Sequence, residues 1–186
     1  RRADMPPGSI ATGDQLVDLD AQLAELTALR DEGRIGAIGL SQVTVAQLRQ
    51  ALPAGIAAVQ NAYNLAARQH EDALQLAAAH GIAWVPYFPL GSAFGDDGRA
   101  HPEPLRRLMA VTDLPEVTGA AERLGSTPSQ VALAWLLQHS PNVMLIPGTR
   151  SSAHLAENLA AGELELPADV VRALDAVAPP APPAER

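Results

Sequence analysis

A helix, a glycine and an apolar strand follow one another three times before the middle of this chain. No other feature restricts the possible folds so strongly. Leu16 to Glu32 carries apolar residues at helical spacing (Leu16, Leu19, Leu23, Leu26, Leu29). Gly33 stands at the left-handed position after the helix, and Ile35-Gly36-Ala37-Ile38-Gly39-Leu40 reads as a buried strand. Thr44 with Gln47 forms a capping box for a helix through Leu52, followed by Gly55 and the strand Ile56 to Gln60. Glu71 to His80, Gly81 and Ile82 to Tyr87 repeat the unit. A fourth helix opens at Thr127, with Pro128 and Gln130 behind it, and runs to Gln138; Val143 to Ile146 follows as a strand. A last helix is predicted over Ala168 to Val177.

Strands that are apolar throughout and alternate with helices make a parallel sheet, either covered on both faces or closed into a barrel. Ligands of such sheets bind at the carboxyl ends of the strands. Polar and aromatic residues gather there in this chain: Ser41 and Gln42, Gln60 and Asn61, Tyr87, Thr149 and Arg150. Singly, each has an ordinary structural explanation: Ser41 as a turn cap, Gln60 satisfying buried backbone, Tyr87 as core. Together, at one end of every strand, they outline a single site.

The run Pro147-Gly148-Thr149-Arg150 leads from the fourth strand into an Ala/Leu-rich helix. Free N–H groups and the positive dipole end at such a helix start attract anions. Arg150 and His154, placed in that first turn, oppose the dipole unless a phosphate lies between them; the same run also reads as a solvated loop with an incidental Arg. Trp135, mid-helix among Ala and Leu, is assigned to packing, and His70, His80, His101 and His139 to structural roles.

The 186 residues suffice for one domain. A formal charge of −8 without a basic cluster argues against nucleic acid. No apolar run is long enough to span a bilayer, the chain has no Cys, and its five histidines show no metal-ligand spacing. A cytoplasmic protein without metal or membrane partner is expected. The Pro-rich residues 178–186 read as a disordered tail beyond a single unit over 1–177, and the polar stretch between Gly91 and Pro115 as a loop of functional length. Four strands are half of the eight that close a (β/α)8 barrel. With Arg1 rather than Met at its head, the chain reads as the second half of a longer polypeptide.

Five segments resemble the aldo/keto reductase superfamily: Gly33 to Ser41, Val59-Gln60-Asn61-Ala62-Tyr63-Asn64, Val85-Pro86-Tyr87-Phe88-Pro89-Leu90-Gly91, Thr127 to Trp135, and Ile146-Pro147-Gly148-Thr149 with His154 to Asn158. Two of these are nearest the pyridoxal reductase (pyridoxine 4-dehydrogenase) branch. The resemblance implies an α/β fold, the C-terminal half of a (β/α)8 TIM barrel with four parallel strands and flanking helices. The complete enzyme would move hydride between NADPH (or NADP+) and an aldehyde or ketone, with pyridoxal a candidate. By the same resemblance, Ser41, Gln42 and Gln60 would bond the nicotinamide carboxamide, with Gln42 standing where the family usually has Asn. Tyr87 would stack on the ring. Leu90, Gly91 and Ser92 would lie along the pyrophosphate. Gly148, Thr149, Arg150 and His154 would hold the 2′-phosphate, with Glu157 and Asn158 toward the adenine. Arg1 falls at the position of the family's catalytic His. The catalytic Asp, Tyr and Lys would lie in a preceding half, so the chain alone is expected to be inactive until that half or a pairing chain closes the barrel. The alternative is a non-catalytic half-barrel, a binding or regulatory module that pairs with another chain. A phosphate-binding barrel without redox chemistry is a third possibility.

Overall fold

A computed structural model describes residues 17–91 and 111–177. Helix α1 (Leu19–Asp31) starts at Asp18, whose carboxylate accepts from the Ala21 amide at 3.0 Å. Strand β1 (Ile38–Ser41) follows, then α2 (Val45–Ala51), a 3-10 turn over Leu52–Ala54, and strand β2 (Ile56–Gln60). The expected capping box of α2 forms, with Thr44 and Gln47 satisfying each other's backbone N–H. Helix α3 (Glu71–Ala79) leads to the short strand β3 (Ala83–Trp84). Beyond the undescribed stretch come α4 (Pro115–Leu124), α5 (Pro128–His139), α6 (Ser152–Ala160) and α7 (Ala168–Asp175).

The three strands form one parallel sheet in sequential order, with Leu40 beside Val59 and Val59 beside Trp84. Val143 adjoins Trp84 as an isolated parallel bridge. The row Leu40, Val59, Trp84, Val143 faces the helices. Val59 and Trp84 are fully buried there. The opposite row begins Gly39, Ala58 and Ala83, small residues on an incompletely covered face. Helix α5 is buried from Val131 through Leu136, because neighbours surround it on all sides.

Three expectations change. The strand expected over 82–87 keeps regular pairing at only two residues. Backbone bonds to β2 continue past them, Val85 N–H to Val59 C=O at 2.8 Å and Tyr87 N–H to Asn61 C=O at 3.1 Å, while Pro86, on the side of Trp84 that meets residues 142–144, has no N–H to donate. The strand expected over 143–146 is reduced to the Val143 bridge, since a strand needs a partner along its length and β3 offers only Trp84. Helix α4 was not foreseen. It starts with Pro115 at N1 and ends at the left-handed Gly125.

Candidate functional site at the strand ends

Ser41 and Gln60 end adjacent parallel strands as direct register partners, so their side chains project from the same face. Both are exposed. The ladder runs one step further, the Gln42 amide donating to the Gln60 carbonyl at 2.9 Å. Gln42 then turns left-handed, at φ 59°. Its side-chain amide donates to the hydroxyl of the half-buried Tyr87. Phe88, immediately after Tyr87, is the other non-glycine residue with positive φ among the described residues, at 58°. Non-glycine residues in this region carry local strain and concentrate at functional sites.

Between the two turns lies residues 61–67, buried without interruption. Asn61 uses its whole carboxamide on Val43, accepting from the amide at 3.0 Å and donating to the carbonyl at 2.7 Å. Asn64 donates to the Phe88 carbonyl at 3.0 Å and accepts from the Ala66 amide at 2.9 Å. Ser41, Gln42, Gln60 and Tyr87 are thus gathered at one end of the sheet, with Leu90 and the left-handed Gly91 just beyond.

The phosphate-type segment forms differently from the sequence reading. Ser151 is the N-cap of α6, its hydroxyl accepting from the His154 amide at 3.3 Å. Arg150 therefore precedes the helix instead of sitting in its first turn, while His154 stays in that turn. Thr149 Oγ1 accepts from the Ser151 amide at 3.1 Å. Gly148, Thr149, Arg150 and His154 are exposed; Glu157 and Asn158 are half-buried on the same helix. Arg1 and Ser92 lie outside the described residues.

Sequence reasoning missed a polar cluster elsewhere. Tyr63, fully buried, donates its hydroxyl to the Glu71 carboxylate and lies 2.9 Å from His139 Nε2, which in turn lies 3.1 Å from both Glu71 oxygens. Burial, reinforced by the Glu71 hydrogen bond and charge, pushes the Tyr63 phenol well above its ordinary range. Burial alone would raise Glu71, but hydrogen bonds from Tyr63 and His139 outweigh it and hold the carboxyl below its usual range. Trp135 stacks on His139 with ring centroids 4.6 Å apart and donates its indole N–H to Asp175 at 2.9 Å. A cavity of about 390 Å³ opens beside this cluster, next to Arg68 and Val177. The aromatic and charged residues at these positions were the available signal; their pairing was not. No trio of His, Asp or Glu among the described residues is placed to hold a metal, and no helix among them is long and apolar enough to cross a membrane.

The aldo/keto reductase family model matches residues 9–179. Pyridoxine 4-dehydrogenase of Escherichia coli (strain K12) is 42% identical over 160 residues, covering 86% of this chain and 50% of the relative. A probable aldo-keto reductase of Glycine max is 33% identical over 171 residues, covering 82% and 49%. A thermostable aldo-keto reductase solved with the inhibitor epalrestat superposes with a TM-score of 0.68 at 28% identity, over 87% of this chain and 55% of that one. The chain belongs to the aldo/keto reductase family of oxidoreductases, whose fold is a TIM barrel. It spans about half the length of the curated relatives it matches.

Proposed function

We propose that residues 1–177 are the cofactor-binding, C-terminal half of an NADPH-dependent aldo/keto reductase barrel, with residues 178–186 a tail outside it. The observation that carries this reading is the pairing of Ser41 with Gln60 on the open sheet face, beside the Gln42–Tyr87 contact. A hydroxyl and a carboxamide side by side match the donor and acceptor needs of a nicotinamide carboxamide. The Tyr87 ring, held at its hydroxyl end by Gln42, suits an aromatic ring laid against it. Leu90, Gly91 and Ser92 follow Tyr87 in the chain, where the pyrophosphate would run. Arg150 is an exposed guanidinium just ahead of a helix N-terminus, and both favour a phosphate. Gly148, Thr149 and His154 would complete that end, and Glu157 and Asn158 would lie toward the adenine.

When bound, NADPH supplies the hydride that an aldehyde or ketone accepts at its carbonyl carbon. The residues of this chain bind and orient: Ser41, Gln42 and Gln60 set which ring face is presented, and Arg150 selects for the 2′-phosphate. Proton donation falls to residues of a preceding half. General acid–base help is worth roughly 10²–10⁴ in rate, so the chain alone should not turn over. Pyridoxal is the first substrate to try, given the likeness to pyridoxine 4-dehydrogenase. The setting is cytoplasmic.

The test is NADPH oxidation with pyridoxal, by the 186-residue chain alone and joined to a preceding half that carries Asp, Tyr and Lys. Turnover only in the joined protein supports the reading; robust turnover by the chain alone overturns it. In the joined protein, Arg150→Ala should weaken NADPH roughly tenfold or more and leave NADH nearly unchanged. Equal losses for both cofactors would remove Arg150 from the phosphate site.

A second reading, a non-catalytic half-barrel that pairs with another chain, is favoured by the exposed Met144 and Ile146 along the partnerless end of the sheet. Failure of the joined protein to bind NADPH, together with stable self-pairing, would select it.

A further inference from the structure

We propose that Asn61 and Asn64 are positioning residues: their buried carboxamides hold the left-handed turns at Gln42 and Phe88, and so keep the side chains of Gln42 and Tyr87 together at the strand ends. Both are fully buried, yet neither spends its amide on a regular element. The Asn61 carboxamide acts as a substitute strand residue, giving Val43 both an acceptor at 3.0 Å and a donor at 2.7 Å just where β1 has ended. Without it, the buried Val43 N–H and C=O would lose these partners, and the strained φ of 59° at Gln42 would be opposed only by the bonds of Gln42 itself to Gln60 and Tyr87.

On the other side, the Asn61 carbonyl receives the Tyr87 amide at 3.1 Å, and Asn64 Nδ2 donates to Phe88 C=O at 3.0 Å. The Phe88 carbonyl also accepts from Gly91 at 3.0 Å, so Asn64 and Gly91 together determine the course of the chain past Phe88. One buried loop therefore braces two strand ends that touch each other through the Gln42 amide and the Tyr87 hydroxyl. Gln42 and Tyr87 are 45 residues apart in the chain. The consequence for cofactor binding rests on the function proposed above; the placement of Gln42 and Tyr87 does not.

The experiment separates the two. In the 186-residue chain, Asn61→Asp keeps the acceptor for the Val43 amide and loses the donor, Asn61→Leu loses both, and Asn64→Asp loses only the donor to Phe88. Amide exchange and side-chain NMR require no cofactor. Val43 exchange should speed up roughly tenfold or more in Asn61→Leu and by less in Asn61→Asp, which keeps the acceptor for the Val43 amide but sets a carboxylate oxygen against the Val43 carbonyl. The nuclear Overhauser contact between the Gln42 side-chain amide and the Tyr87 ring should weaken in Asn61→Leu and in Asn64→Asp, while the indole signals of Trp84 and Trp135 stay in place. If Asn61→Leu does not fold, Asn64→Asp carries the test. An unchanged Gln42–Tyr87 contact in the folded variants overturns the proposal.

In the joined protein, NADPH and adenosine 2′,5′-bisphosphate are then titrated in parallel. Selective loss of NADPH affinity supports positioning at the nicotinamide end, and equal loss of both overturns it. A wild type that binds neither ligand overturns the cofactor reading and leaves the NMR result to decide the role of the two asparagines.

Discussion

At the scale of single residues, the most heavily committed side chain is Tyr63. Tyr63 is fully buried, and its hydroxyl meets Glu71 and His139. Tyr63→Phe leaves the packing volume nearly intact but strips hydrogen bonds from a carboxylate and an imidazole. The expected cost is about 1–3 kcal/mol, read from urea unfolding. The acid limb carries a second expectation. Glu71 titrates lower folded than unfolded, with hydrogen bonds to Tyr63 and His139 overcoming the burial that opposes them. Its stabilisation is therefore present above the ordinary carboxylate range and is lost as pH falls through the lowered folded value. Wild type should lose stability on acidification below about pH 5, and Tyr63→Phe should show a shallower decline. Parallel curves for the two proteins would mean that the pair is not coupled in this way. None of this was legible in the sequence. Tyr63 and His139 are 76 positions apart, and no local pattern pairs them.

Whole elements were easier to read wherever a short-range rule governs them. The capping box expected at Thr44/Gln47 forms, and Thr127 and Gln130, read as a helix start, make a second; each closes within four residues. Thr127→Ala should cost about 1 kcal/mol through loss of the bond from the Gln130 amide, measured as a shift in urea midpoint at constant slope. Gly55, expected as a helix stop, is left-handed at φ 71°, and a Cβ there would stand 3.2 Å from Arg30 Nη1. Arg30 is held in place by the Ala54 carbonyl. Gly55→Ala should therefore destabilise by about 1 kcal/mol or more, because backbone strain and the crowded guanidinium act together. A neutral result would show that Arg30 moves aside freely. Elements that depend on distant partners were read less well. The segment from Val143 has strand composition, but its pairing depends on a distant partner, and after Trp84 the next position facing it is Pro86, which has no N–H to donate. Helix α4 carried readable signals in Val117, Ala120, Ala121 and Leu124, yet its start adjoins the polar stretch between Gly91 and Pro115 that reads in sequence as a loop.

At the scale of the whole molecule, the described residues include an open sheet border and large apolar side chains with no cover. Leu155 and Leu159 are 50% and 71% exposed one turn apart on α6, and Met144 is 59% exposed. Apolar surface of this kind beside unpaired strand ends promotes association. The chain alone should elute later with dilution in size-exclusion chromatography, and the double variant Leu155→Lys, Leu159→Lys should shift it toward monomer. Elution independent of concentration in both would show that this surface is not adhesive. The sequence by itself determined the alternation of helices and strands, the helix caps, the collection of polar residues at strand ends and the family, because each depends on neighbours a few residues away or on a run of consecutive residues. Only the tertiary structure decided that Ser41 stands beside Gln60, that Gln42 reaches Tyr87, and that Tyr63 meets His139. Those outcomes depend on strand register, on left-handed turns at residues other than glycine and on which buried polar groups find each other, and local propensity carries no record of them.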